Sequence, residues 1–300
     1  MITDAASRWV EINGRVIRIT HPDKVLWPDI GLTKWDYILH LTRLAPHLIR
    51  HARNRLLTTI RFPEGLGGSS FYQKNIPSYA PEWVDRTVWK NTRHILLNRP
   101  ETLVWLANQS CLEFHVSFSF CHEDRLHALV FDLDPNQCEF SRVAEAALII
   151  REELQSLALK SYVKTSGATG LQLFIPIAPC PYEEARKVNR FFAEYFQSKY
   201  PQLFTLERMV RKRGKQVYFD YLQMWRGKSL ICAYSPRARP GAPVSAPLNW
   251  PELDKGIDPE QFHLNNIHDR LEKMGDLFLP LTSEATQSIT PILDLLKVRS

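Results

Sequence analysis

No stretch of this 300-residue chain approaches about eighteen uninterrupted apolar residues, which excludes a membrane-spanning helix. Met1 to Val10 carries Asp4 and Arg8 and lacks an apolar core, so it does not read as a secretory signal. Cysteine is scarce: Cys111, Cys121, Cys138, Cys180 and Cys232 are odd in number, widely spaced and without a C-x-x-C pair. That excludes a disulfide framework and predicts a reducing compartment. Cys121, His122, His127 and Cys138 can be drawn together as a zinc set, but their spacing matches no common ligand pattern, and they read as scattered core or surface residues. Internal repeats and low-complexity tracts are absent, which excludes collagenous and coiled-coil chains.

What is present is the composition of an ordinary folded protein, 44% apolar and 23% charged, at a length that suits two modest domains or one large one. Thirty-eight basic residues against 32 acidic ones give a net charge of +6. The excess is clustered. Lys34, Arg43, Arg50, Arg53 and Arg55 face one acid, Asp36, over 34–55; Arg208, Arg211, Lys212, Arg213 and Lys215 face Glu207 over 207–215. Such clusters suit a polyanionic partner, the plain alternative being solvated basic faces.

The spacing predicts an α/β (α+β) chain. Thr33 with Asp36 reads as a helix cap, followed by Tyr37, Ile38, Leu41 and Leu44 at helical spacing, with Pro46 expected to break or kink the helix. Residues 56–62 read as a strand and 64–70 as a Gly-rich turn. A short strand over 127–133 ends in Asp134-Pro135. Ser141 is placed to cap a helix striped by Val143, Ala146, Ala147, Ile150, Leu154 and Leu157. Strands at 161–164 and 171–177 flank a Gly turn; 182–200 reads as a second amphipathic helix stopped by Pro201, and 216–222 as a further strand. Mixed elements from 100 to 235 imply a core with a mostly antiparallel or mixed sheet flanked by helices, with an N-terminal lobe packed against it and the last 50 residues wrapped outside.

Several constellations could carry chemistry. In Phe131-Asp-Leu-Asp-Pro135, strand alternation puts Asp132 and Asp134 on one face, about 7 Å apart at their Cα atoms. Like charges so placed want a divalent cation or a basic partner; hard oxygens suit Mg²⁺ or Mn²⁺, and paired ions held this way serve phosphoryl transfer. A solvated Asp-Pro turn is the alternative. Asp220, read as the centre of an aromatic strand, needs either a metal or a nearby Arg. The turn Lys164-Thr-Ser166-Gly167-Ala-Thr169-Gly170 could cradle phosphate oxygens through its amides, or be any hairpin; it lacks the G-K-[ST] of a phosphate-binding P-loop. Arg237 and Arg239 leave a strand into a Pro-bounded loop, as an anion clamp or as surface arginines. His115 shares a strand face with Glu113, in a binding or a space-filling role. Phe71, Tyr72 and Lys74, with Arg61 upstream, suit base stacking with phosphate contact, or core packing.

Taken in order, these segments resemble the polymerase domain of bacterial DNA ligase D, of the archaeo-eukaryotic primase superfamily. The resemblance runs from about His21 to about Leu253. It is carried by His21-Pro-Asp-Lys24-Val-Leu-Trp-Pro, Arg61-Phe-Pro-Glu-Gly, Phe71-Tyr-Gln-Lys74, Leu112-Glu-Phe-His115, Phe131-Asp-Leu-Asp-Pro, Lys164-Thr-Ser-Gly, Phe219-Asp220-Tyr and Tyr234-Ser-Pro-Arg237-Ala-Arg-Pro-Gly. It implies a primase-type core with an RRM-like sheet over 101–300, closed by a C-terminal helical extension, and a DNA-binding lobe over 1–100. It implies template-directed addition of NTPs or dNTPs at broken DNA ends in non-homologous end joining, with two divalent ions, Mn²⁺ or Mg²⁺, on Asp132, Asp134 and Asp220. His115, Ser166, Gly167, Thr169, Gln172 and Arg237 would address the nucleotide; His21, Lys24 and Lys34 a 5′-phosphate; and Arg61, Phe71, Tyr72 and Lys74 the DNA. Double-stranded DNA ends, Ku and a DNA ligase are the implied partners, no membrane is, and the implied setting is a bacterial cytoplasm at the nucleoid.

Four positions depart from the family. Its usual S-G-G-K-G-L-H turn has Thr169 and Gln172 here in place of Lys and His, His21 replaces a common Asn, and Met224 another. Losing a charge-assisted contact costs about 1.5–3 kcal/mol unless Lys164 or Arg237 compensates. An end-binding scaffold without catalysis and a metal-dependent phosphodiesterase are therefore the alternatives. No Lys-x-Asp-Gly motif occurs, so no sealing activity is expected in this chain.

Overall fold

Leu126, Leu129, Val130, Phe131 and Leu133 form an apolar run too continuous for a solvated strand, and it becomes the central strand Arg125–Pro135, with these side chains all buried. The computed structural model describes residues 7–283 and 287–298. Two units make up the chain: Met1–Val116 with Leu230–Ser245 and Phe262–Gly275, and Ser117–Ser229 with Ala246–Gln261 and Asp276–Ser300. These bounds differ from a division at residue 100, because Cys111–Ser117 pairs with Leu57–Arg61 and so joins the first unit's sheet.

In the second unit six strands lie in the order Phe204–Thr205, Val217–Phe219, Arg125–Pro135, Leu171–Pro181, Tyr162–Thr165, Pro247–Leu248. All pairs are antiparallel except the first, which is parallel, giving the mixed sheet expected. Register sets Val163, Leu173 and Phe131 in one row and Leu171, Leu133 and Phe219 in the next, every one fully buried. Helices Phe140–Ser156 and Tyr182–Lys199 both pack on the central strand. The second brings Phe192 to 5.4 Å from Phe131 and Phe196 to 6.3 Å from Phe219 between ring centroids. Each such aromatic contributes about 1.5–3 kcal/mol by leaving water. Ser141 does not cap the first of these helices. The cap position is Glu139, which makes no side-chain cap bond, and Ser141 lies inside the first turn.

The first unit holds a four-stranded sheet in the order Ser229–Ile231, Cys111–Ser117, Leu57–Arg61, Phe71–Gln73. Its helix Lys34–Ala52 begins at the predicted capping box: Thr33 and Asp36 exchange side-chain and backbone bonds. Pro46 does not end the helix, which runs six residues past it. The stripe Tyr37, Ile38, Leu41, Leu44, Ala45, Leu48, Ile49 and Ala52 is buried on both sides of the proline, and that burial offsets the roughly 3 kcal/mol a mid-helix proline costs. Among the described residues no helix is long and apolar enough to cross a membrane. All five cysteines are free, and His127 bonds Glu123 at 2.6 Å.

Candidate active site

The sheet that buries Phe131 and Leu133 on one face turns the intervening residues to the other. Two polar rows cross it there. In the first, Lys164, Gln172 and Asp132 are direct cross-strand partners, and the Asp220 amide donates to the Asp132 carbonyl at 2.9 Å. In the second, the Ser166 amide donates to the Gly170 carbonyl at 2.9 Å, and Asp134 pairs with Tyr218. Asp132 and Asp134 therefore share a face, as alternation requires, with Asp220 beside Asp132. Asp220 is not at the centre of its strand. Val217–Phe219 stops one residue short, because the Asp220 Oδ1 accepts from the Leu222 amide at 3.1 Å and so turns the chain. The same oxygen accepts from the Tyr218 hydroxyl at 3.2 Å, and among the described residues no Arg or Lys pairs with Asp220.

Asp132 is 9% exposed. Burial, the charge of Asp134 and that of Asp220 push its carboxyl well above the ordinary range, against the opposing pull of a Gln172 hydrogen bond and of Lys164. The Gln172 Nε2 donates to Asp132 Oδ1 at 3.1 Å, and the Lys164 ammonium donates to the Gln172 Oε1. Carboxylates that destabilise each other's charge are a hard-oxygen donor set, and that chemistry fits a small divalent ion. As the side chains stand, no three His, Cys, Asp or Glu among the described residues are close enough to hold one.

The turn after Lys164 braces itself from within. Ser166 Oγ accepts from the Ala168 and Gly170 amides at 3.2 and 3.1 Å, while Thr165 Oγ1 accepts from the Gly167 and Ala246 amides at 3.3 and 3.0 Å. Gly167 sits at φ +68°, and Thr169 is exposed at the tip. Gly170 has no room for a side chain: a Cβ would lie 2.6 Å from the Leu133 carbonyl and 3.0 Å from Asp134 Oδ1. The turn is thus fitted directly against Asp134. The basic run at 207–215 also reaches this face. Arg213 stacks on the Tyr218 ring at 3.6 Å, and the short helical turn Val210–Lys212 precedes it.

The first unit groups the remaining predicted residues. Glu113, its side chain 6% exposed, accepts from His115 at 2.9 Å, pairs with Arg237 at 3.3 Å and accepts the Ala238 amide at 3.0 Å. Burial raises its pKa, but the His115 bond, the Arg237 charge and the Ala238 amide outweigh it and hold the carboxyl below its usual range. Arg237 is thus ion-paired and partly buried. Lys34 is buried and donates to the Thr20 carbonyl at 2.8 Å; burial, then the charges of Lys24 and Arg61, push its pKa down to about 8. Lys24 pairs with Glu64 at 2.8 Å, and His21, at φ +49°, starts the turn that Lys24 closes. Phe71 and Tyr72 are 46% and 71% exposed, so neither is core, and Lys74 is exposed beside them. Arg61 lies 5.3 Å above the Phe71 ring and donates to the Tyr79 hydroxyl at 2.8 Å.

Sequence reasoning passed over the joint role of Glu113, the Tyr218–Arg213 stack and exposed Tyr79. Alternation placed Glu113 beside His115, which was a usable signal. Nothing local announced the other two.

A family model described as the LigD primase-polymerase domain matches residues 33–278. The bifunctional non-homologous end joining protein LigD of Bacillus subtilis is 36% identical over 95% of this chain and 47% of its own length. The multifunctional LigD of Mycolicibacterium smegmatis is 34% identical over 90% of this chain and 36% of its own. The chain therefore spans half or less of the length of these curated relatives. The solved polymerase domain of Mycobacterium tuberculosis ligase D in complex with DNA superposes with a TM-score of 0.83 at 29% identity, covering 90% of this chain and 99% of that one.

Proposed function

This chain belongs to the LigD primase-polymerase domain family, and on that premise we propose that it is a template-directed nucleotidyltransferase that extends or fills broken DNA ends in non-homologous end joining. The observation that carries the reading is the pair of polar rows that sets Asp132, Asp134 and Asp220 on adjoining positions of one sheet face. These carboxylates would hold two divalent ions, Mg²⁺ or Mn²⁺. When bound, such ions lower the pKa of a primer 3′-hydroxyl and screen the triphosphate at which it reacts.

The chain's own residues bind and orient. The amides and hydroxyls of Ser166, Gly167 and Thr169 offer donors beside Asp134, and Arg213 adds positive charge over Tyr218. Gln172 fixes Asp132 rather than standing free as a nucleotide donor. In the first unit, Glu113 holds His115 and Arg237 as contacts for sugar or phosphate. Lys24 and Lys34, with His21 at the turn, form a pocket for a 5′-phosphate. Its support is the buried Lys34 ammonium, whose pKa is depressed first by burial and then by the charges of Lys24 and Arg61. Arg61 with exposed Phe71, Tyr72 and Tyr79, and Lys74 beside them, suits stacking on template bases; the DNA complex of the related polymerase domain supports the same partner. Ku and a DNA ligase complete the reading as partners, in a bacterial cytoplasm.

The test is primer extension on a gapped duplex with a 5′-phosphate, NTPs or dNTPs and Mn²⁺. Extension by the wild type and its loss in Asp132→Asn is the expected result. Shortening of DNA without nucleotides would favour a phosphodiesterase, and DNA binding without nucleotide binding a scaffold.

A further inference from the structure

Each side chain in the row Lys164–Gln172–Asp132 fixes the next. An ammonium can only donate, so buried Lys164 takes the oxygen of the Gln172 amide. That leaves the amide nitrogen facing Asp132, where it donates to Oδ1 at 3.1 Å. The orientation of a glutamine amide is ordinarily ambiguous; here the lysine settles it. The three residues are direct neighbours across strands and 0%, 3% and 9% exposed, so the row has no room to rearrange.

One oxygen of Asp132 is thus committed, while Oδ2 takes no hydrogen bond among the described residues. Asp220 shows the same division, with Oδ1 accepting from Tyr218 and Leu222. A carboxylate so held is biased toward binding an ion through its other oxygen, because gripping with both would compete with the hydrogen bond already made. Mg²⁺ and Mn²⁺ accept that in a six-coordinate shell, whereas Ca²⁺ takes six to eight oxygens and often grips both oxygens of a carboxylate. Resting on the metal reading above, we infer that Gln172, oriented by Lys164, is a specificity-determining positioning residue: it biases Asp132 toward one-oxygen coordination and so favours small octahedral ions over Ca²⁺.

The whole chain is titrated with Mn²⁺, read from the electron paramagnetic resonance of the free ion, and with Ca²⁺ by competition. The ratio of the two dissociation constants is the readout, because a merely structural defect weakens both ions alike. Gln172→Met, which cannot donate, and Gln172→Asn, one methylene too short to span the row, are each expected to lower the preference for Mn²⁺ about tenfold. Gln172→His can accept from Lys164 at one ring nitrogen and donate to Asp132 from the other, and is expected to keep the wild-type ratio. The inference is overturned if folded Gln172→Asn or Gln172→Met, judged by circular dichroism, keeps the wild-type ratio, or if Gln172→His loses it. An Asp132→Asn protein that binds Mn²⁺ as tightly as wild type removes the metal reading itself, and the inference with it.

Discussion

Lys34 carries its charge at a cost that can be measured. The residue is 4% exposed, and burial with the charges of Lys24 and Arg61 lowers its pKa from 10.5 to about 8. A 5′-phosphate bound there needs that charge. At pH 7 nearly every molecule has it; at pH 9 roughly one in ten does. Binding at pH 9 must therefore take up a proton, at about 1.4 kcal/mol, or a factor of about ten in affinity. Fluorescence anisotropy with two duplexes, identical but for a 5′-phosphate or 5′-hydroxyl at the recessed end, isolates this contribution as a ratio of affinities. At constant ionic strength the preference for the phosphate is expected to fall about tenfold from pH 7 to pH 9, and Lys34→Met to lose it at both. A preference that ignores pH, or that survives Lys34→Met, refutes the pocket. The same depression acts on folding. Between about pH 8 and 10.5 the unfolded chain holds the Lys34 proton and the folded one does not, so this residue makes stability rise with pH across that window.

Gly170→Ala would drive a Cβ to 2.6 Å from a backbone carbonyl and 3.0 Å from Asp134, so urea denaturation should show a loss of about 1–3 kcal/mol; an unchanged midpoint would contradict the fit of the turn. Phe131→Ala removes a fully buried ring packed on Phe192 and Phe219, and the same assay should lose about 3–5 kcal/mol. Glu113→Gln removes the charge shared by His115 and Arg237, and steady-state primer extension should show the nucleotide KM raised about tenfold or more; an unmoved KM would detach this cluster from nucleotide binding.

Much of this was legible because it is local. Alternation in Phe131-Asp-Leu-Asp was enough to put both carboxylates on one face and the apolar pair on the other, and Thr33 with Asp36 declared the start of its helix. The failures share a cause. Pro46 breaks a helix only when nothing distant holds it, and burial on either side of it is a tertiary fact. Asp220 looked like mid-strand because aromatics flank it on both sides, yet its carboxylate captures the Leu222 amide and ends the strand. The row from Lys164 through Gln172 to Asp132 depends on the register of three strands, and Glu113 meets Arg237 across 124 positions of sequence, shown by their numbering alone. No spacing rule spans such distances. Gln172 in particular looks, in sequence, like a lost nucleotide contact; register makes it a partner of Asp132.

Crystals soaked in Mn²⁺ with a nucleoside triphosphate analogue, and measured at the manganese absorption edge, give the most direct answer. Anomalous peaks within coordination distance of the carboxylates of Asp132, Asp134 and Asp220 are the predicted result. Peaks elsewhere on the chain, or none on this face while the analogue is bound, would contradict it.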